Sequence, residues 1–346
     1  MKKYSVIIIF FFLTAASLLF PDAARRLKFD LFFSESDYDP NYVFSLPGKV
    51  VIDKNSNLYI SDLKESVIRK YDKNGKYVCS FGKRGNGPGE ILGMSGLEAL
   101  KNYIAVMDYK TIHYFGYDGK YIKSVDKSYG RMHYVYHYHF PSIFLVYEID
   151  TQTRKFVLSL RDINDKLIRE IYSFSAEGRF EAGEHYWFPC FDFEKVVFGV
   201  NSKEDIIYAY SEAFEVFKTT GNKTVSIIKE NAKPVSIPGD IRKKLDFVRG
   251  GITINGVDKD IKFTPPENYS LIQDLIIDEN DNIWLKVRTP DFYGFKKYSS
   301  KGKKLAEYSM DYDAEYISPE ILISGGYIYM RQYNQYEGLK ILRARL

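Results

Sequence analysis

The chain has 346 residues, and its formal net charge of +4 comes from 49 basic and 45 acidic residues. This near balance gives no reason to expect nucleic acid as a partner. Aromatic residues make up 16% of the chain, with 30 Tyr and 25 Phe. Because aromatic side chains pack well on pleated surfaces, the composition favours a strand-rich protein.

The N-terminus has the pattern of a secretory signal peptide over residues 1–20. Lys2 and Lys3 precede an apolar run, and Thr14-Ala15-Ala16 offers small residues for cleavage. The run is shorter than the roughly 20 residues that a membrane span needs, although an uncleaved anchor is the alternative. We therefore expect an exported protein, periplasmic or extracellular. It has no membrane span in the mature chain unless this segment stays attached.

A repeated hairpin is the most informative pattern in the chain. An aromatic or apolar residue is followed four positions later by a turn residue. The copies are Tyr71 to Gly75, Phe115 to Gly119, Phe217 to Gly221, Tyr298 to Gly302 and a degenerate copy, Leu160 to Asn164. Glycine and asparagine tolerate the left-handed backbone of a tight turn. The separation of Gly75 from Gly119 is typical of four-stranded propeller blades.

Strand patterns place six blades along the chain. They cover 50–81, 97–125, 143–174, 195–228, 272–308 and 321 to the C-terminus. Blade 6 shows only three strands, so 27–33 is predicted to supply its fourth strand and to close the ring. The sequence thus predicts one all-β domain over 27–346, a six-bladed β-propeller with four-stranded blades.

An insertion at about 234–266 separates blades 4 and 5. Asp240 precedes Ile241 to Val248, and Gly250 and Gly251 follow, which predicts a short helix. The favoured interpretation is a structural brace across blades 4 and 5, with a lid over the binding face as the alternative.

The repeat resembles the NHL repeat. The resemblance rests on Leu58 to Asp62, the hairpin Tyr71 to Gly75, and Phe81 to Glu90. More narrowly, the mature chain is similar to secreted six-bladed propellers of bacteria. Such proteins include protein-binding and RNA-binding modules and a few metal-dependent enzymes. The resemblance therefore implies the fold far more directly than any activity.

The two faces of such a disc differ in their connections. Turns between the first and second and between the third and fourth strands are short, and they form what we call the turn face. The other connections are long and irregular and form the loop face, where binding residues are expected to concentrate. The candidate ligand-binding residues are Asp62, Arg84, Glu90, Asp108, Tyr109, Arg288, Asp291, Tyr293, Tyr333 and Asn334.

Signals for a metal or for catalysis are few. His137 and His139 lie on one side of a strand, but without a carboxylate or Cys at ligand spacing a packing or hydrogen-bonding role is favoured. Asp53 to Asn57 and Asp278 to Asn282 match only the first half of a calcium-binding loop and are interpreted as turns. No Ser-His-Asp or Cys-His arrangement is predicted. No cofactor is predicted.

Two functions remain from these patterns. The first is a secreted or periplasmic, non-catalytic binding or scaffold module whose loop face recognises a protein, a peptide or a glycan. The alternative is a metal-dependent propeller enzyme, a hydrolase or a lyase, with its site in or near the central channel.

Overall fold

The computed structural model describes residues 24–36, 39–100, 102–108, 111–126, 139–140, 143–150, 155–162, 166–175, 180–181, 195–245, 250–254, 257–263, 266–310, 320–334 and 336–346. Six four-stranded blades stand around a central axis, and helix is almost absent from the described residues. The predicted six-bladed β-propeller with four-stranded blades is confirmed. No helix among these residues is long and apolar enough to cross a membrane. The predicted signal segment, 1–20, lies outside them.

The first strand of each blade lies innermost and the fourth outermost. Blade 1 consists of Pro47–Ile52, Leu58–Asp62, Val67–Tyr71 and Tyr77–Phe81, and blade 2 of Gly96–Ala99, Tyr103–Met107, Thr111–Gly116 and Tyr121–Asp126. Blade 3 consists of His139–Phe140, Ile143–Asp150, Lys155–Asp162 and Leu167–Ser175, and blade 4 of Val196–Val200, Ile206–Tyr210, Glu215–Thr220 and Lys223–Lys229. Blade 5 consists of Ile272–Ile277, Ile283–Thr289, Phe292–Tyr298 and Lys304–Ser309, and blade 6 of Glu320–Ser324, Tyr327–Asn334, Gly338–Arg345 and Asp30–Ser34.

The hydrophobic core is divided among the six interfaces between neighbouring blades. Each interface holds its own cluster of buried apolar side chains. Between blades 5 and 6, for example, Trp284 and Phe295 pack with Ile328. Successive side chains along a strand point to opposite faces of the sheet, so each blade packs against the blade before it and the blade after it.

Aspartates at the turn face build their turns by accepting backbone hydrogen bonds. The Asp53 carboxylate accepts from the N–H groups of Asn55 at 2.8 Å and Asn57 at 2.9 Å, and from the Tyr59 hydroxyl at 3.0 Å. Asp278 repeats the arrangement in blade 5 with Asn280, Asn282 and the Trp284 indole. Both segments therefore form turns, in which the aspartate carboxylate accepts hydrogen bonds from backbone N–H groups of the same turn.

The hairpin glycines have the predicted left-handed backbone. Their φ angles are 80° at Gly75, 81° at Gly119 and 84° at Gly302. A β-carbon is disfavoured at such angles, so the choice of glycine follows from the turn geometry.

The N-terminal segment joins two blades. Asp30–Ser34 pairs antiparallel with Gly338–Arg345 in blade 6. The sequence predicts that this strand starts at Leu27, but in the structure it starts at Asp30. The residues just before it, Arg25–Arg26, form a parallel fifth strand on blade 5. Beyond the strand, Glu35 accepts hydrogen bonds from the N–H groups of Phe44 and Leu339, each at 2.8 Å.

We expect a chain lacking residues 1–34 to aggregate or to lose cooperative unfolding. Its third strand in blade 6 would have an unpaired edge, and Phe33, which packs edge-on against Tyr71 at 4.9 Å, would be lost from the core. Calorimetry or circular dichroism on heating measures the effect. A chain lacking only residues 1–23 is the matched control. If both truncated chains melt like the full chain, this closure does not stabilise the ring.

The insertion between blades 4 and 5 contains more strand than the sequence predicts. A helix spans Gly239–Leu245, with Asp240 in its first turn. A hairpin follows, Gly250–Ile254 with Val257–Phe263, and its second strand pairs with Phe180–Glu181. Val235–Ser236 also pairs with Asn268–Tyr269. The Asn255-Gly256 pair in the sequence is a hairpin signal, but Gly250 and Gly251 were interpreted only as the end of the helix. The pairing with Phe180–Glu181 has no local signal, because this partner lies about 80 residues away, between blades 3 and 4.

Candidate functional site

Asp62 and Asp108, two carboxylates predicted to bind a ligand on the loop face, are buried and hold neighbouring segments in place. Asp62 is fully buried, and it accepts the N–H groups of Ser45 at 2.8 Å and Leu46 at 3.2 Å. The Arg69 guanidinium lies 3.7 Å from the same carboxylate. Asp62 therefore fixes the segment that enters blade 1 and is not part of the exposed surface.

Asp108 belongs to a hydrogen-bonded chain across blade 2 that the sequence analysis did not predict. Its carboxylate accepts from the Thr111 N–H at 2.7 Å and lies 3.1 Å from Nε2 of His113. The other ring nitrogen of His113 lies 2.9 Å from Oγ of Ser124. Asp108 and His113 are buried, and this chain ties the second, third and outer strands together. Tyr109, predicted beside Asp108, lies outside the described residues.

The loop between blades 1 and 2 is held by Glu90. Its carboxylate lies 2.7 Å from the Lys83 ammonium and accepts the Gly87 N–H at 2.9 Å. These hydrogen bonds, that of Lys83 first, lower the pKa of the Glu90 carboxyl. Glu90 thus fixes the shape of the loop. Of the two predicted residues in this loop, Arg84 is the exposed one.

An aromatic and cationic stack lies on the loop face of blade 5. The Arg288 guanidinium lies 3.6 Å from the centre of the Tyr269 ring and 5.7 Å from that of Tyr293. The Lys286 ammonium lies 5.9 Å from the Tyr293 ring. Arg288 and Tyr293 face each other across two strands, so the structure brings these two predicted residues together. Asp291 is exposed in the turn beside them.

Blade 6 adds exposed tyrosines to this face. Tyr333 is 46% exposed and Tyr336 is 87% exposed. The Arg331 guanidinium lies 5.9 Å from the centre of the Tyr333 ring. Asn334 ends the second strand of the blade, and its side chain lies outside the described part of the chain. Blade 6 therefore presents exposed aromatic side chains on the loop face, whereas on blade 5 Tyr269 is buried and Tyr293 is half-buried.

Charged side chains from three blades influence one another electrostatically where the inner strands begin. Arg331 lies 3.8 Å from Glu320 and donates a hydrogen bond to the Pro47 carbonyl at 3.1 Å. Burial raises the pKa of Glu320, while the positive charges of Lys49 and Arg331 oppose the rise and Asp274 reinforces it. We call this group the channel cluster: Lys49, Asp274, Glu320 and Arg331.

Two polar atoms in and beside the channel cluster have no hydrogen-bond partner among the described residues. One is Nε of Arg331, and the other is the side-chain carbonyl oxygen of Gln273, which is buried next to Asp274. Buried polar groups in native proteins are almost always paired, so an unpaired donor and acceptor mark a place where a ligand or water can bind. The sequence contained no local signal for the cluster, because its members come from different blades.

The predicted metal candidates are not brought into a described site. His137 lies outside the described residues, and of His139 only the backbone is described, in the first strand of blade 3. Among the residues that the structure describes, no three His, Cys, Asp or Glu side chains gather to hold a metal ion.

Comparison with known proteins supports the fold. No family model matches the chain, and no curated protein matches it. A predicted exported protein of Bacteroides fragilis NCTC 9343 matches with a TM-score of 0.50 and 14% identity, covering 94% of this chain and 97% of that one. A member of the DUF4221 family from Bacteroides vulgatus ATCC 8482 matches with a TM-score of 0.52 and 9% identity, covering 93% and 98%. At these identities the likeness concerns the fold, and the NHL resemblance stays a prediction.

Proposed function

We propose that this protein is an exported, non-catalytic binding or scaffold module whose loop face recognises a protein, a peptide or a glycan. The observation that carries the proposal is the half-buried Arg288, whose guanidinium lies over the buried Tyr269 ring and near the half-buried Tyr293 ring. Tyrosine and arginine are the residues that contribute most to binding energy at recognition surfaces. NHL-like repeats, which serve as binding modules in other proteins, are consistent with this role.

The surroundings of the stack suit an extended ligand. Tyr333 and Tyr336 offer exposed rings on the next blade, and the channel cluster offers charges of both signs. Aromatic faces pack against apolar portions of a peptide or a sugar, while the partly exposed side chains of Arg331 and Glu320 can form hydrogen bonds with polar portions. A ligand lying across blades 5 and 6 would contact both kinds of surface.

The enzyme alternative rests on a channel metal. It requires carboxylates or histidines from several blades around one ion, and it stays a prediction that metal analysis tests. Stoichiometric calcium or zinc in the purified protein would favour it over the binding module.

We expect the double variant Arg288→Ala, Tyr293→Ala to lose at least about tenfold in affinity for a ligand found on peptide and glycan arrays. The stack supplies the desolvated contacts, so the loss appears in titration calorimetry with that ligand. The control is Lys73→Glu, Lys301→Glu on the turn face, which we expect to bind normally. Melting temperatures of both variants verify folding. If the first variant binds normally and the second does not, the faces are assigned wrongly.

A further inference from the structure

The turn face carries an excess of positive charge. In blades 1 to 5 its turns, together with the first residue of each following strand, expose ten lysines and three carboxylates. The lysines are Lys54, Lys73, Lys76, Lys120, Lys166, Lys203, Lys223, Lys301, Lys303 and Lys304, and the carboxylates are Asp118, Glu204 and Glu279.

The loop face shows no such excess. Over the described part of its connections, counted in the same way, six exposed basic residues stand against five acidic ones. They are Lys64, Lys83, Arg84, Lys155, Lys233 and Lys243 against Glu65, Asp240, Glu267, Asp291 and Glu337. The near-neutral total of the chain therefore conceals a difference between its two faces. A surface of one sign attracts partners of the opposite sign.

A ring of exposed apolar side chains borders the lysine-rich face. In all six blades the outer strand exposes a large apolar side chain within its first three residues, at the end next to the turn face. They are Val78, Tyr121, Ile122, Leu167, Ile168, Val225, Leu305 and Leu31, with exposed fractions from 37% to 59%. These residues make up most of the large apolar side chains that the described residues expose.

From the charge of the turn face and the apolar side chains at its border we propose that the turn face docks on a membrane surface rich in anionic lipid headgroups. Lysines near such a surface are attracted to phosphate and carboxylate headgroups, and the attraction falls off within a Debye length. The apolar ring gains by entering the boundary between headgroups and acyl chains. A nucleic acid would use the lysines but would gain nothing from the apolar ring, so a lipid surface fits better. In this orientation the loop face points away from the membrane.

Two labels at positions of matched exposure test the orientation. Ile122, 52% exposed, lies on the turn-face border, and Leu92, 49% exposed, lies on the loop face. Each is replaced by Cys in a full-length chain in which Cys79 and Cys190 are changed to Ser, and each is labelled with an environment-sensitive fluorophore. With vesicles of phosphatidylcholine and phosphatidylglycerol we expect a blue shift at position 122 and none at position 92. Vesicles of phosphatidylcholine alone should give a much smaller shift.

Charge and apolar variants separate lipid from other partners. Lys73→Glu with Lys301→Glu should weaken vesicle binding at least about tenfold, as should raised salt. Leu305→Ser with Leu167→Ser should weaken it as well. A shift at position 92 equal to that at 122, or equal shifts on neutral and anionic vesicles, would overturn the proposal. So would a double-stranded DNA oligonucleotide that displaces the vesicles and binds the Leu305→Ser, Leu167→Ser variant as tightly as the wild type.

Discussion

Replacing Trp284 with Ala is expected to lower the free energy of unfolding by about 3–5 kcal/mol. The indole is fully buried between blades 5 and 6 and stacks on Tyr308 at 5.4 Å. Its Nε1–H donates to the Asp278 carboxylate at 2.9 Å. The substitution therefore opens a cavity at a blade interface and removes a hydrogen bond from a buried carboxylate. Urea unfolding followed by circular dichroism measures the change.

Blade 1 supplies the matched control for this experiment. There Tyr59 donates to Asp53 at 3.0 Å, in the same place relative to its turn. Trp284→Tyr keeps a donor for Asp278, whereas Trp284→Phe keeps a ring and removes the donor. We expect Trp284→Tyr to lose on the order of 2 kcal/mol and Trp284→Phe to lose about 1–3 kcal/mol more. Equal stabilities for the two variants would mean that the hydrogen bond to Asp278 contributes nothing.

The pKa of Asp278 gives the same network a pH dependence. Burial alone would raise this pKa, but the hydrogen bonds from Trp284 and Asn282 lower it overall. A carboxyl whose folded pKa is depressed adds stability above its unfolded pKa and loses that stability as the pH falls through the folded value. The difference in stability between wild type and Trp284→Phe should therefore shrink in acid.

The fold was predictable because its signals are local and repeated. Each hairpin turn requires a left-handed residue at one position, which Gly75, Gly119 and Gly302 supply. The Asp53 and Asp278 turns repeat one set of hydrogen bonds with a donor six residues later. Such features can be read within a dozen residues, without knowledge of the rest of the chain.

The candidate site was predictable only in part, because exposure and contacts between blades are not local properties. The sequence predicted the position of Asp62 at the end of its strand on the loop face. It did not predict that the carboxylate is buried and accepts a hydrogen bond from a backbone N–H group 16 residues away. Arg288 and Tyr293 were predicted as parts of one long, irregular loop, and this was wrong: only Pro290 and Asp291 lie between their strands, and the two residues pair across those strands. The effect of the Lys49 charge on the pKa of Glu320 depends on ring closure between the first and last blades. The pattern of residues along a single strand cannot predict such a pair, because its two members lie in different blades.

Gly302→Ala is expected to be the most damaging of the turn-glycine substitutions, with a loss of about 3 kcal/mol or more. Gly302 has a φ of 84°, and a β-carbon there would collide with the backbone carbonyl oxygen of Ile227 in blade 4. Neither group can move by changing a rotamer, so the blades themselves would have to separate. Thermal unfolding monitored by calorimetry gives the loss.

Gly326→Ala separates the backbone strain from the collision. Gly326 has a φ of 77° and no atom within 4 Å of the position of a β-carbon, so this variant should lose only about 1–2 kcal/mol. Gly75→Ala should fall between the two, since its β-carbon would lie 3.2 Å from the Phe32 carbonyl oxygen. The order of the three losses thus reports how closely each turn approaches the neighbouring blade. If Gly302→Ala costs no more than Gly326→Ala, blades 4 and 5 do not approach each other at this turn.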